Sequence, residues 1–260
     1  MNKVVIITGA SSGIGLSTAL YLSEKGYKVY GISRRDFHND KFTHISCDVL
    51  DSEKIKKIIE EIYLKEKNIF AIINNAGIGI SGAIEYAKRE DVEKIFEINV
   101  VSVINLCSIA IPYLRESKGK IVNISSVAGE IAIPFQACYS ATKSAIENFS
   151  MALASELKPQ RIKVCCVRPG DTKTSFTKNR EKTEVVNDIY GQRILKSVQK
   201  MERDEQRGAD PIKVSNVIYK CLKKKNPPLV CTVGIGYKLL CLLSKMLPKK
   251  FVNYIVYKLY

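Results

Sequence analysis

The chain has 260 residues and a mass of 29.1 kDa, with 46% hydrophobic and 26% charged residues and a formal net charge of +15. That length buries a real core within one α/β unit, and the balance is that of an ordinary globular chain. Two histidines and eight cysteines with no CxxC pair argue against a zinc site, the cysteines read as reduced thiols, and only net charge speaks for nucleic acid.

The first ten residues, MNKVVIITGA, hold a buried strand at Val4–Thr8 running into a turn. They lack the basic-then-apolar pattern of a secretory leader, so a cytoplasmic location is expected. The spacing then predicts a helix over Ile14–Glu24 and strands over Lys28–Ser33 and His44–Cys47. Ile55, Ile58, Ile59 and Ile62 recur at helical intervals and predict a helix over Ser52–Lys65. A fourth strand is read over Ile69–Asn74, a helix from Asp91 towards Leu114, and a fifth strand over Lys120–Ser125. A long helix follows over Tyr139–Leu157, then strands over Arg161–Val167 and Val230–Val233. Alternating strands and helices imply an α/β fold: a doubly wound parallel sheet of about seven strands with helices on both faces. No repeat or linker divides residues 1–260, which are read as a single domain. No uninterrupted apolar run approaches the roughly 20 residues of a bilayer span.

Between the first strand and helix lies Thr8-Gly9-Ala10-Ser11-Ser12-Gly13-Ile14-Gly15. Glycines in such a turn let the backbone approach a pyrophosphate, and the following helix turns its first N–H groups and its dipole towards the anion. The spacing is GxxxGxG rather than GxGxxG. After the second strand a NAD-binding chain usually places an acid on the ribose 2′-hydroxyl. Here the strand ends Gly31-Ile32-Ser33-Arg34-Arg35, where Ser33 can donate to a 2′-phosphate and Arg34 can pair with it. NADP(H) is therefore the expected cofactor. Tyr139 and Lys143 stand four positions apart on one helix face, about 6 Å in rise. A nearby ammonium lowers the pKa of a tyrosine, which is otherwise too high for proton transfer at neutral pH.

Thr8–Gly15, Asn74-Asn75-Ala76-Gly77, Asn99, Ser126, Tyr139-Ser140-Ala141-Thr142-Lys143 and Pro169-Gly170 follow one another in the order and spacing of the short-chain dehydrogenase/reductase family. The resemblance covers about residues 3–175, with Ser126 lying 13 positions before Tyr139. It implies a Rossmann-type fold and NADP(H)-dependent interconversion of a ketone and a secondary alcohol. Tyr139 would be the proton donor, Ser126 the hydrogen-bond donor to the substrate oxygen, and Lys143 the group that binds the nicotinamide ribose and lowers the tyrosine pKa. Asn99 would hold a water of the proton relay. Thr8, Gly9, Ser11, Ser12, Gly13, Ile14, Gly15, Ser33, Arg34, Asp48, Val49, Asn75, Ala76 and Gly77 would contact the cofactor. So would Tyr139, Lys143, Pro169, Gly170, Thr172 and Thr174, the last on the carboxamide. Ser125 is out of register by one. Asp171 stands where many members carry an apolar residue, in a Pro-Gly-Asp form that resembles the steroid- and retinoid-related branches. The resemblance further implies a homodimer or homotetramer, as family members often are.

Substrate selection is expected from Gly79–Gly82, from Gly129–Phe135 with Ile131, Ile133, Pro134 and Phe135, and from a lid over about residues 175–207. The lid carries Phe176, Ile189, Tyr190, Ile194, Leu195, Val198 and Met201, and suits a bulky lipophilic ketone, steroid-like or long-chain. The C-terminal extension, about residues 236–260, is apolar with basic punctuation. It reads either as packing over the cleft or a subunit interface, or as a peripheral membrane contact. Two other readings stand beside the leading one. A 3-oxoacyl carrier-protein reductase suits the positive charge but not the apolar extension. A non-catalytic NADP(H)-sensing protein suits the fold, but such proteins commonly lose the tyrosine or lysine kept here.

Overall fold

The structure is a computed structural model that describes residues 3–183 and 188–260. Alternation along each strand builds its two layers. In β1 (Val4–Thr8), Val4 and Ile6 face one side of the sheet while Val5 and Ile7 face the other. The same division holds along β2 (Lys28–Ser33), β4 (Ala71–Asn74), β6 (Lys120–Ile124) and β7 (Lys163–Arg168). With β3 (Thr43–Ser46) and β9 (Val230–Thr232) they form one seven-stranded parallel sheet, ordered β3-β2-β1-β4-β6-β7-β9.

One face is covered by α2 (Ser52–Glu66), α4 (Ser102–Ser117) and α5 (Ala137–Glu156), which present Ile55, Ile59, Leu106, Leu114, Ile146 and Leu153 to it. The other is covered by α1 (Gly13–Glu24) and α7 (Pro211–Lys223), through Ala19, Leu22, Val214 and Ile218. Both α2 and α7 begin on aspartate caps, Asp51 accepting from Lys54 N at 3.0 Å and Asp210 from Ile212 N at 2.8 Å, with Pro211 opening α7. The chain reverses its winding between β1 and β4, so the crevice outside their carboxyl ends is where a doubly wound sheet binds its ligand.

All seven expected strands and the chief helices are present, with boundaries shifted by one or two residues. β4 starts at Ala71 rather than Ile69, and α5 starts at Ala137, which puts Tyr139 in its first turn. A two-stranded parallel pair of β5 (Ile80–Ser81) and β8 (Glu181–Lys182) is too short to leave a periodic signature. From α3 (Arg89–Phe96) through the π-helical turn Glu97–Val101 to the end of α4, the helical run is long and apolar enough to cross a bilayer by length and composition. Its buried Val103, Leu106, Cys107, Ala110 and Leu114 instead pack in the core. Beyond α6 (Arg193–Gln206) and α7, the chain ends in α8 (Ile235–Met246) and α9 (Lys249–Leu259), which fold back on each other.

Candidate active site

The carboxyl ends of the strands converge on a cavity of about 470 Å³. Gly9, Ser12, Gly13, Ile14, Asn75, Ala76 and Gly77 line one end, and Ser126, Tyr139, Lys143, Pro169, Gly170, Thr172 and Thr174 line the middle. The glycine turn is a close-packed cradle. A Cβ on Gly15 would lie 2.2 Å from the Gly9 carbonyl oxygen, and one on Gly9 2.8 Å from Asn75 Nδ2, where the backbone already has φ +69°. Gly13 has φ +54° and abuts Thr174. Thr8 and Asn75 lock this turn to the end of β4. Thr8 Oγ1 accepts from Asn75 N and Ala76 N, both at 3.0 Å, and Asn75 Nδ2 donates to Thr8 O at 2.9 Å. The cradle and the α1 N-terminus behind it fit a pyrophosphate.

At the far side of the turn Ser33 is buried, and its Oγ lies 2.6 Å from His44 Nε2. Its hydroxyl is thus already engaged within the protein. Arg34 is exposed at the end of β2, with Nη1 4.0 Å from Asp48 Oδ2. Val49 follows Asp48 just beyond β3. Ser11 does not line the cavity.

Tyr139 and Lys143 face the cavity from successive turns of α5, with Lys143 Nζ 5.7 Å from the Tyr139 ring centre and donating to Ile124 O at 3.0 Å. Lys143 is buried, and that burial lowers its pKa to about 8 against the opposing pull of Cys166 and Glu147. Burial likewise pushes Tyr139 up to about 12; the hydrogen bond with Ser126 works downward, Glu205 and Asp171 upward, and Arg180 downward. The protein's own groups therefore keep the phenol protonated. Ser126 is extended, caps the short helical turn Val127–Gly129, and accepts from Ala128 N at 3.2 Å, which leaves its own proton for the hydrogen bond with the Tyr139 oxygen. Its neighbour Ser125 is turned inward, 3.0 Å from Lys143 O and 2.8 Å from Glu147 Oε1.

Asn99 sits in the π-helical turn, a local widening often found at functional sites. Its amide is fixed by Ile78, accepting from Ile78 N at 2.8 Å and donating to Ile78 O at 2.9 Å, and it also reaches Thr142 Oγ1 at 3.1 Å. It stands against Gly77, where a Cβ would come within 3.1 Å of its Oδ1 and 3.6 Å of Lys143 Nζ.

The cavity continues past Tyr139 into an apolar chamber. Phe176 stands 5.7 Å from the Tyr139 ring, and Ile131, Ile133 and Met201 add further apolar walls. Of the lid residues, Ile194, Val198 and Met201 are buried together, with Phe135 and Tyr190 against them, while Ile189 and Leu195 point to solvent. Lid positions 184–187 lie outside the described residues. The greater part of the far wall comes from α8 and α9 through Leu240, Leu243, Leu247, Val252, Ile255 and Leu259. Residue spacing did not reveal two further features. Tyr237 of α8 donates to Asp171 Oδ2 at 2.5 Å, and the buried Arg180 pairs with Glu205.

Residues 3–185 match the family described as short chain dehydrogenase, and the chain belongs to that family. It is an oxidoreductase whose fold binds a nicotinamide cofactor. Among its relatives is a 3-ketodihydrosphingosine reductase of Bacteroides thetaiotaomicron, 41% identical over 257 residues, covering 97% of this chain and 96% of that one. A short-chain dehydrogenase from Streptomyces avermitilis superposes with a TM-score of 0.83 at 29% identity, covering 93% and 92% of the two chains. ElxO with NADP bound superposes at 0.76 with 26% identity, covering 92% of this chain and all of the other, at 100%.

Proposed function

We propose that the chain reduces a long-chain ketone to its secondary alcohol with NADPH, and that 3-ketodihydrosphingosine is the first substrate to test. The carrying observation is the cavity itself. A polar centre of Ser126, Tyr139 and Lys143 opens directly into an apolar chamber walled by α8 and α9. A relative 41% identical across nearly the whole chain, whose name specifies a long-chain amino ketone, supports the choice of substrate.

Bound NADPH would supply the hydride to the carbonyl carbon. The glycine cradle with Ser12 and Ile14 would hold its pyrophosphate, Asn75, Ala76 and Gly77 its adenosine side, and Pro169, Gly170, Thr172 and Thr174 its nicotinamide side. Arg34 supports NADPH over NADH, because it offers an exposed cation at the end of β2 where an acid would repel a 2′-phosphate. Ser126 donates a hydrogen bond to the carbonyl oxygen as negative charge develops there. Tyr139 delivers its phenolic proton to that oxygen, and the buried Lys143 ammonium compensates the phenolate left behind. Asn99, held rigidly by Ile78, keeps the relay side of Lys143 polar.

The outer face of α8 and α9 supports peripheral membrane contact. Ile235, Leu239, Leu242, Met246, Phe251 and Tyr254 are each more than half exposed, and residues 235–260 carry five lysines and no acidic residue. That combination suits an anionic bilayer surface on the cytoplasmic side, where a lipid ketone would reach the chamber those helices wall. Pelleting with anionic but not neutral vesicles is the expected result. A soluble dimer that covers this face and ignores vesicles would overturn it.

The reaction is tested by following oxidation of NADPH and of NADH with 3-ketodihydrosphingosine, a steroid ketone and a 3-oxoacyl thioester. Turnover of the long-chain ketone with preference for NADPH is expected. Reduction of the thioester alone would favour a carrier-protein reductase, and tight NADPH binding with no turnover would favour a sensor.

A further inference from the structure

Three charged side chains line the catalytic cavity, namely Lys143, Asp171 and Glu205. Two of the three are carboxylates, in a chain whose net charge is +15. Their partners differ. Glu205 Oε1 pairs with Arg180, whose side chain is 1% exposed, and Oε2 accepts from Thr177 Oγ1 at 2.6 Å. Its charge is therefore already compensated. Asp171 has only a neutral partner, with Tyr237 OH donating to Oδ2 at 2.5 Å and receiving the Asp171 N–H at 3.2 Å. Among the described residues no lysine, arginine or histidine is ion-paired with it.

Asp171 stands at the turn after β7, and its charge is felt both at Tyr139 and at Tyr260 on the apolar wall. It thus lies where the reacting centre meets the chamber. Gly170 lets Tyr237 close against this turn, since a Cβ there would strike the Tyr237 ring at 2.2 Å. Asp171 is half-buried and meets the apolar chamber with no cation beside it, and a neutral amide could accept the same tyrosine hydrogen bond. The retained charge calls for a cation that arrives with the ligand.

We propose that Asp171 is the counter-charge for a protonated amine on the carbon next to the ketone, so that the cavity selects long-chain α-amino ketones over neutral ones. This rests on the reductase reading above. Tyr237 positions the carboxylate, Tyr139 and Ser126 address the ketone oxygen, and the chain lies along α8 and α9.

The test is steady-state kinetics with NADPH on 3-ketodihydrosphingosine and on its desamino analogue, for the wild type, Asp171→Asn and Glu205→Gln. The wild type should favour the amine, and Asp171→Asn should cut the amine-to-desamino ratio of kcat/KM at least about 30-fold. Glu205→Gln should leave that ratio in place. A ratio unchanged in Asp171→Asn, even with both rates reduced, would show a purely structural residue and overturn the inference. So would a ratio lost equally in Glu205→Gln, or a wild type indifferent to the amine. A wild type that reduces neither ketone contradicts the reductase reading itself, and this inference falls with it.

Discussion

Glu147, one turn beyond Lys143 on α5, is ion-paired with Arg168 at the end of β7, and both side chains are buried. Arg168 Nε donates to Glu147 Oε1 at 2.8 Å and its Nη2 to Glu130 Oε2 at 2.9 Å, while Lys245 of α8 lies 3.4 Å from that same Glu130 oxygen. Burial opposes the Arg168 charge, and Glu147 more than offsets this, so its pKa is raised. The network ties the floor of the active site to the C-terminal wall. Removing one partner strands the other, so Arg168→Met should cost roughly 3–5 kcal/mol in urea unfolding. The double change Arg168→Met with Glu147→Met should recover most of that loss. A single variant as stable as the wild type would show that the pair contributes nothing.

Arg34 is proposed to carry a preference for NADPH. Replacing it with Asp should raise the KM for NADPH by about 10- to 100-fold and leave that for NADH little changed. The comparison requires only the two cofactors and one ketone. An unaltered ratio would remove Arg34 from the assignment and leave Ser33, already bonded to His44, as an inadequate substitute.

Lys143 gives a pH-dependent prediction. Burial takes its pKa from 10.5 down to about 8, so the folded chain sheds this proton before the unfolded chain does. Between those values the unfolded state binds more protons, and stability from this group rises with pH. Below about pH 8 the cost of the buried ammonium is fully present. Lys143→Met should therefore stabilise the protein at neutral pH by something on the order of 1–3 kcal/mol, while abolishing turnover. The gain should shrink as pH rises towards 10.5. A variant less stable than wild type at pH 7, with no such trend, would contradict it.

Gly15 tests the cradle. A methyl group there would sit 2.2 Å from the Gly9 carbonyl oxygen, far inside van der Waals contact, so Gly15→Ala should displace the turn. NADPH affinity should fall by at least about tenfold, with stability reduced by about 1–3 kcal/mol. Calorimetric titration of cofactor and a thermal melt read the two effects, and normal cofactor binding would contradict the assigned packing.

Much of the fold is legible from local pattern. The β-branched runs at Val4–Thr8 and Lys120–Ile124 are buried on both faces, and the isoleucines of α2 recur at helical spacing. The cavity lining from the glycine turn to Lys143 is legible because close backbone approach and one helix face leave marks within a few positions. The Asp171–Tyr237 and Glu147–Arg168 pairs are not, since 66 and 21 positions separate their members and only the tertiary fold brings them together. The apolar C-terminal segment reads equally as wall or as membrane contact, because both require the same composition. In the structure its inner face lines the cavity and its outer face stays exposed. The position of Tyr139 is legible, but the direction of its pKa shift is not. Lys143 suggests lowering, whereas burial dominates and raises it.

Tyr139 is proposed to deliver the proton to a long-chain ketone as NADPH is oxidised. The most direct test is the rate of NADPH oxidation with 3-ketodihydrosphingosine for the wild type and Tyr139→Phe, alongside NADPH affinity by fluorescence. Turnover should fall at least about 100-fold with cofactor affinity essentially retained. Near-normal turnover in the phenylalanine variant would contradict it.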